Sequence, residues 1–341
     1  MKKSTKTGVL LINLGTPDSP SVSDVRKYLR EFLMDRRVID IPFFNRFLLI
    51  NLIIAPFRAP KSAKIYKDLW TERGSPLLFY GIELKELLQA QLGEDYLVSF
   101  GMRYQNPSLQ LAVDELKGKG LDKIIIIPLF PQYSSAATGS AIEKAMGFIK
   151  EWEVIPEIKI VSKFFEDPLF IKAFASLGRK YMEQNEYDHF IFSYHGLPER
   201  QILKASVDGY CQLNNKCCSQ YHSKNTYCYR AQSYETSRLL AAELGISEKQ
   251  YSVCFQSRLG KTPWIKPYTD EVVKELAEKG VRKVLFFSPS FIADCLETTI
   301  EGGVEYKELF LRNGGAHWQL VESLNVMPAW VDCLKEVTLN A

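Results

Sequence analysis

The sequence predicts an α/β fold of two domains, each a parallel sheet flanked by helices, with a cleft between them. Three observations carry that expectation. Short apolar runs of strand type, Val9–Leu14, Ile124–Ile127, Phe190–Phe192 and Val284–Phe287, alternate with stretches of helical periodicity. The second run is four isoleucines, as a strand covered on both faces requires. The two halves also repeat one grammar. DELKGKGLDKIIIIPLF (from Asp114) resembles VKELAEKGVRKVLFFSPSF (from Val273), with Lys119-Gly120 answering Lys279-Gly280, and GVLLINLGTP (from Gly8) resembles FIFSYHGLP (from Phe190). The expected domains are residues 1–160 and 161–341, with a hinge near Pro156–Pro168 and a final helix able to pack back on the first domain.

From the N-terminus, Val9–Leu14 is a strand closed by Gly-Thr-Pro-Asp, and Asp24–Met34 places Val25, Tyr28, Leu29 and Phe32 on one helical face. Ile41–Phe57 is strongly apolar but interrupted by Asn45, Arg46 and Asn51 and closed by Pro56. It is too short and too polar to span a bilayer, and reads either as a helix buried in the core or as an exposed apolar lip. Ile65–Trp70 leads into a turn at Glu72–Pro76, Ile82–Leu92 is helical, and Tyr96–Phe100 is a strand ending in Gly-Met-Arg-Tyr. Leu109–Lys117 is a helix, and beyond Ile124–Ile127 come Pro128, Pro131, a polar loop and a helix from about Thr138. Phe190–Phe192 delivers Ser193, Tyr194 and His195 before Gly196 and Pro198 turn the chain, which puts a histidine at a strand end, where open α/β sheets place ligands.

Bulk properties exclude some function classes. A net charge of +3 with no basic run interleaved with aromatics argues against nucleic acid. The start MKKSTKTGVLLINLG is basic then apolar, as a secretory leader begins, but the apolar run is short and lacks a small-residue cleavage site, so it reads as the first core strand of a cytoplasmic protein. Seven cysteines, an odd number in a long chain, favour metal ligation over a disulfide framework.

Three constellations carry chemistry. After Val284–Phe287, Asp294, Glu297, Glu301 and Glu305 would form an acid ladder on one face of a helix at 100° per residue. Like charges at this spacing cost a few tenths of a kcal/mol per pair, and Gly302 and Gly303 about 1 kcal/mol each, so the helix is written against its own stability and suits cations or protons. Arg103-Tyr104, the stretch PQYSSAATGSA (Pro131–Ala141), Trp264 between two prolines and Phe291 describe a pocket with aromatic walls and a basic rim for a flat, anionic, apolar ligand. Cys211, Cys217, Cys218 and Cys228 fall in the polar loop CQLNNKCCSQYHSKNTYC. The adjacent pair suits an iron–sulfur cluster better than a zinc knuckle, and His222 is a rival ligand; Cys254, Cys295 and Cys333 read as core thiols.

These stretches, with FGMRYQNP, FPQYSSAATGS, FSYHGLPER, KTPWIKPYTDE, FIADCLETTIEG and the tail ESLN, resemble the ferrochelatase family over nearly the whole chain. The resemblance implies two Rossmann-like, chelatase-type domains and insertion of ferrous iron into protoporphyrin IX, the last step of haem synthesis; coproporphyrin III as substrate, or a porphyrin carrier without turnover, are the alternatives. It implies His195 and Glu297 as the catalytic, iron-binding pair with Asp294 hydrogen-bonded nearby, and Glu301 and Glu305 as a path for metal or protons. It assigns Arg103, Tyr104, Ser75 and Tyr133 to porphyrin contact, Trp264 and Phe291 to the walls, and Ile41–Phe57 to an apolar lip. Leu14 departs from the pattern: it stands where relatives carry a methionine or tyrosine facing the porphyrin. The cysteine loop resembles the internal insertion of a bacterial subgroup, implying a two-iron two-sulfur cluster on Cys211, Cys217, Cys218 and Cys228. The implied location is cytoplasmic, with peripheral contact to the inner membrane through Ile41–Phe57 left open, as is the oligomeric state.

Overall fold

The computed structural model describes residues 6–258, Gly260 and 262–341; the basic start Met1–Thr5, Leu259, and Lys261 of the KTPWIKPYTDE stretch lie outside the described residues. Eight strands form two four-stranded parallel sheets. The first comprises β1 (Thr7–Gly15), β2 (Tyr96–Tyr104), β3 (Lys123–Pro128) and β4 (Glu157–Ile160) in the order β2-β1-β3-β4. The second comprises β5 (His189–His195), β6 (Tyr251–Gln256), β7 (Lys283–Phe287) and β8 (His317–Leu320) in the order β6-β5-β7-β8. The two orders are the same, so the sequence repeat is a repeat of topology, with β1 answering β5 and β3 answering β7.

Burial explains which runs were legible. Val9–Ile12, Ile124–Ile127 and Val284–Phe287 are wholly excluded from solvent, and continuous apolar sequence is what a doubly covered parallel strand needs. The edge strands β4, β6 and β8 are less visible because they are short or carry polar residues. β4 occupies the stretch expected as a hinge; its residues are largely exposed, so no apolar run marks it. Helices fill both faces. Ser21 caps Val22–Leu33 by accepting from the Asp24 amide at 3.2 Å, and Ser108 caps Leu109–Leu116 by accepting from Leu111 at 3.3 Å.

The chain divides into two compact units: one runs to Phe130 and takes in Ser135–Ser162 and Asn325–Ala341, the other is Pro131–Ser134 with Lys163–Leu324. The last helix, Pro328–Leu339, belongs to the first unit, where Asp332 accepts from Gln91 Nε2 at 2.8 Å. Pro56 does not close the apolar segment as expected. It follows the π-helical turn Leu49–Ile54, whose wider spacing, with the Ala55 N–H donating to the Ile50 carbonyl, accommodates the proline, so Phe43–Leu48, that turn and Ala55–Leu69 run on continuously. Ile50 and Ala55 are fully buried, whereas Phe43, Phe44, Leu52 and Phe57 are 63–74% exposed: the segment is a half-buried helix with an open apolar face. No helix among the described residues is long and apolar enough to cross a membrane.

Gly15 closes β1 with φ 125°, opposite Tyr104 at the end of β2; a Cβ there would lie 2.1 Å from the Tyr104 carbonyl oxygen. Gly15→Ala is expected to lower the unfolding free energy by about 2–4 kcal/mol, read as a drop in the denaturant midpoint at unchanged slope.

Candidate functional site

In the second unit His195 ends β5, the strand flanked on both sides by β6 and β7, so register holds its backbone: it pairs with Gln256 at the end of β6. Its Nδ1 lies 2.6 Å from the Gly196 carbonyl. A carbonyl only accepts, so Nδ1 carries a hydrogen, and in the neutral ring Nε2 is the nitrogen with the lone pair. The ring stands 6.3 Å from Trp264 and 6.5 Å from Phe291, centroid to centroid. Trp264 is held there because its strap is zipped to the turn after His195: Pro198 and Trp264 form an antiparallel bridge, Ile265 donates to the Leu197 carbonyl and Glu199 to that of Pro263, each at 3.0 Å.

The acids follow β7 on a π-helix, Leu296–Glu305. Glu297, Glu301 and Glu305 are four apart and keep to one side of its widened turn. Asp294 does not join them. It precedes the N-cap Cys295, outside the helix, and its Oδ1 accepts from the Ser323 amide at 3.0 Å. The expected four-rung ladder is therefore three rungs and a separate anchor. Gly302 and Gly303 are explained by packing: a Cβ on Gly302 would come 2.9 Å from the Phe286 ring, and one on Gly303 3.2 Å from Leu320.

Gln256, which sequence reasoning missed, connects the histidine to the acids. Its carbonyl accepts from the Gly196 amide at 2.8 Å, its Oε1 from Ser193 Oγ at 2.7 Å, and its Nε2 donates to the Glu297 carbonyl at 2.8 Å and to Glu301 Oε2 at 3.0 Å. Ser257 Oγ also donates to Glu301 Oε2, at 2.6 Å. Among the described residues His195 and Glu297 share no direct hydrogen bond or ion pair; Gln256 spans from one to the other. Burial and the neighbouring Glu297 charge raise the Glu301 carboxyl to about 7, outweighing the bonds from Ser257 and Gln256.

Tyr133 belongs to the same unit, its amide donating to Gln232 Oε1 at 2.6 Å and its ring meeting Tyr227 edge-on at 5.5 Å. The first unit holds the remaining predicted contacts, and there the expected basic rim gives way to a buried ion pair. Arg103 Nη2 donates to Asp35 Oδ2 at 2.6 Å, as do Tyr104 Oη at 2.9 Å and Ser140 Oγ, while Arg103 Nε donates to Ser140 Oγ at 2.7 Å. Burial pushes the Asp35 carboxyl up, but Ser140, the Arg37 amide and the Arg103 charge together hold it below the usual range. Asp35 was the second missed residue; nothing in MDRR singles it out, because its partners lie about 70 and 105 residues away. Ser75 is buried and accepts from Thr16 Oγ1 at 3.0 Å, and Leu14 packs against the cluster containing Tyr28 and Tyr104.

Cys211, Cys217, Cys218 and Cys228 share one cluster with Tyr210, Tyr221 and Ala231. Cys217 and Cys218 both donate to the Asn214 carbonyl, at 3.2 and 3.3 Å. Burial raises the Cys218 thiol to about 12 against the pull of the Arg230 charge; burial also opposes ionisation of Cys217, but main-chain hydrogen bonds and its contacts with Cys218 and Cys211 bring it below the usual value. Cys228 stands at the N-terminal boundary of the helix Tyr229–Leu244. His222, the rival ligand, has both ring nitrogens engaged: Nδ1 accepts from the Lys224 amide at 3.2 Å and Nε2 meets Tyr210 Oη at 2.9 Å. Among the described residues, no group of three or more His, Cys, Asp or Glu is arranged to hold a single metal ion. Cys254, Cys295 and Cys333 are buried and outside any disulfide.

Residues 6–341 match the family model described as Ferrochelatase. A protein named Ferrochelatase from Legionella pneumophila is 48% identical over 332 residues, covering 97% of this chain and 98% of its own length. One of the same name from Coxiella burnetii is 44% identical over 338 residues, covering 99% and 94%. Among solved structures, SirB from Bacillus subtilis with Fe3+ superposes with a TM-score of 0.57 at 11% identity, covering 98% of this chain and 95% of that one, a likeness of fold.

The raised Glu301 carboxyl makes a signed prediction. The folded state holds its proton between pH 4.5 and about 7 while the unfolded chain has released it, so wild-type stability falls as pH rises through that window. Glu301→Gln keeps an acceptor for Ser257 and Gln256 without the charge. Its stability relative to wild type should be flat below pH 4.5, climb by up to about 3 kcal/mol, and level off above pH 7. Paired denaturation curves across pH check this; a difference independent of pH would refute it.

Proposed function

The chain belongs to the ferrochelatase family and is a metal chelatase, and on that premise we propose that it inserts ferrous iron into protoporphyrin IX through His195 and the Glu297–Glu301 carboxylates. The observation that supports this most is the fixed tautomer of His195. A free-base porphyrin must lose two pyrrole protons as iron enters, and a histidine whose Nδ1–H is committed to the Gly196 carbonyl offers Nε2 as the acceptor. Trp264 and Phe291 flank that ring and suit the face of a flat macrocycle. Glu301, titrating near neutrality, can take a proton and release it again; Glu297 lies one turn nearer the strand end, and the exposed Glu305 one turn towards solvent. Asp294 acts by anchoring the start of this segment to Ser323. Tyr133 is a further porphyrin contact in the second unit. Ser75, Tyr104, Leu14 and Arg103, the last acting from within its pair with Asp35, are the candidates in the first.

The four-cysteine loop fits a two-iron two-sulfur cluster. Each iron of such a cluster takes only two protein thiolates, so a site lacking three ligands around one point is consistent with it, and four soft donors beside a buried arginine match its charge. Cys211, Cys217, Cys218 and Cys228 would hold it; when bound, it supplies a one-electron centre and fixed negative charge. The open face of Phe43, Phe44, Leu52 and Phe57 is the place where peripheral contact with a membrane surface is proposed.

Anaerobic incubation with ferrous iron and either protoporphyrin or coproporphyrin tests the activity. Metalloporphyrin absorbance should rise with protoporphyrin and fall by about a hundredfold or more in His195→Ala, within the span of lost general-base catalysis. Binding of porphyrin without turnover would leave a carrier; preference for coproporphyrin would reassign the substrate. Separately, protein purified under argon should carry iron and acid-labile sulfide, lost in Cys217→Ser; colourless, iron-free protein removes the cluster.

A further inference from the structure

Arg230 is 6% exposed and follows Cys228 at the start of the helix Tyr229–Leu244. Its guanidinium bonds in two directions. Nη1 donates to Cys218 Sγ and, at 3.2 Å, to the Asn214 carbonyl that also receives the Cys217 and Cys218 thiols. Nε donates to the Lys266 carbonyl at 3.0 Å, and Nη2 to Tyr234 Oη at 3.1 Å. Lys266 lies two residues beyond Trp264, on the strap zipped to the turn after His195. A guanidinium is a rigid planar fork, so its edges cannot move independently. A second tie runs beside it: Tyr227, next to Cys228, packs on Tyr133, whose amide is held by Gln232, and Gln232 in turn donates to the Thr226 carbonyl at 2.6 Å.

We propose that Arg230 is a positioning residue that holds Trp264 beside His195 and links its placement to what the cysteine site contains. The second half of this statement rests on the iron–sulfur reading above. A group bound by the four cysteines would fix the position of Cys218 Sγ and so of the guanidinium edge that donates to it, and because the fork is rigid the strap bonded to its other edge is placed with it.

The test uses full-length protein labelled with 5-fluorotryptophan, the Trp264 resonance being assigned by its loss in Trp264→Phe. Stripping iron with a chelator should move or broaden the Trp264 resonance and leave those of Trp70 and Trp152 in place. In Arg230→Gln the resonance should sit at the stripped position whether or not the protein is coloured. The KM for porphyrin should rise by roughly three- to tenfold with kcat held within about twofold, the signature of lost binding rather than lost chemistry. Arg230→Lys, which keeps the charge and a shorter reach, should fall between and guards against a glutamine variant that fails to fold. A Trp264 resonance indifferent to stripping in coloured wild-type protein, or responding equally in Arg230→Gln, overturns the link. If wild-type protein binds no iron or sulfide, the cluster reading alone has failed. The metal-free comparison then decides the first half: a displaced Trp264 resonance in Arg230→Gln upholds Arg230 as the residue that positions it, and an unchanged one overturns it.

Discussion

The side-chain amide of Gln256 is the joint on which the second unit's site depends. It is 2% exposed and its oxygen and nitrogen are both engaged, the nitrogen twice. Parallel pairing brings it level with His195, its own carbonyl closes the turn after that histidine, and its side chain reaches the π-helix at Glu297 and Glu301. Three segments far apart in sequence thus share one residue that cannot shift without leaving a buried polar group unpaired, at about 1–3 kcal/mol each. The histidine needs no direct bond to a carboxylate to be fixed relative to it.

Two buried carboxylates show how partners, more than depth, decide what an acid can do. Asp35 lies beside a guanidinium and accepts from Tyr104 and Ser140, so it stays ionised and acts as a structural anion. Glu301 accepts only from neutral donors among its described hydrogen bonds and faces Glu297, so its proton is held to near neutrality. Desolvation is the largest influence on both and pushes both the same way. The partners make the difference: Ser140, the Arg37 amide and then the Arg103 charge outweigh burial at Asp35, whereas the Glu297 charge adds to burial at Glu301. A carboxyl poised near pH 7 is suited to proton traffic, and one pinned below the usual range to architecture.

Much of this was legible because buried parallel strands write themselves as apolar runs, and the repeat of helix, Lys-Gly turn and strand exposed the doubled topology. Gly120 and Gly280 both take positive φ, which explains why the turn is spelled alike twice. His195 was visible as a polar residue ending such a run. Gln256 ends one too, at YSVCFQ, but an amide announces no chemistry, and a strand interrupted by Ser252 and Cys254 is a weak signal. Asp35 and Arg230 were illegible for another reason: each gains meaning from partners brought to it only by folding. The position of Asp294 was misjudged because sequence periodicity assumes the helix begins where the acids do, whereas Cys295 caps it one residue later.

The repeat also shows how a single scaffold yields two different tools. In both halves the strand after the Lys-Gly turn is followed by a π-helical turn that passes directly into an α-helix: Ser135–Gly139 into Ser140–Ile149, and Leu296–Glu305 into Tyr306–Arg312. The geometry is common, and the side chains it presents have diverged. The first copy offers hydroxyls and small residues, and Ser135 and Ser140 are taken up by Arg37, Arg103 and Asp35 in a network that leaves its charges paired. The second copy is longer and offers carboxylates with only neutral donors on Glu301. A wide turn after a buried strand is therefore the feature the two halves share, and what differs is the side chains that turn presents and the partners it gives them.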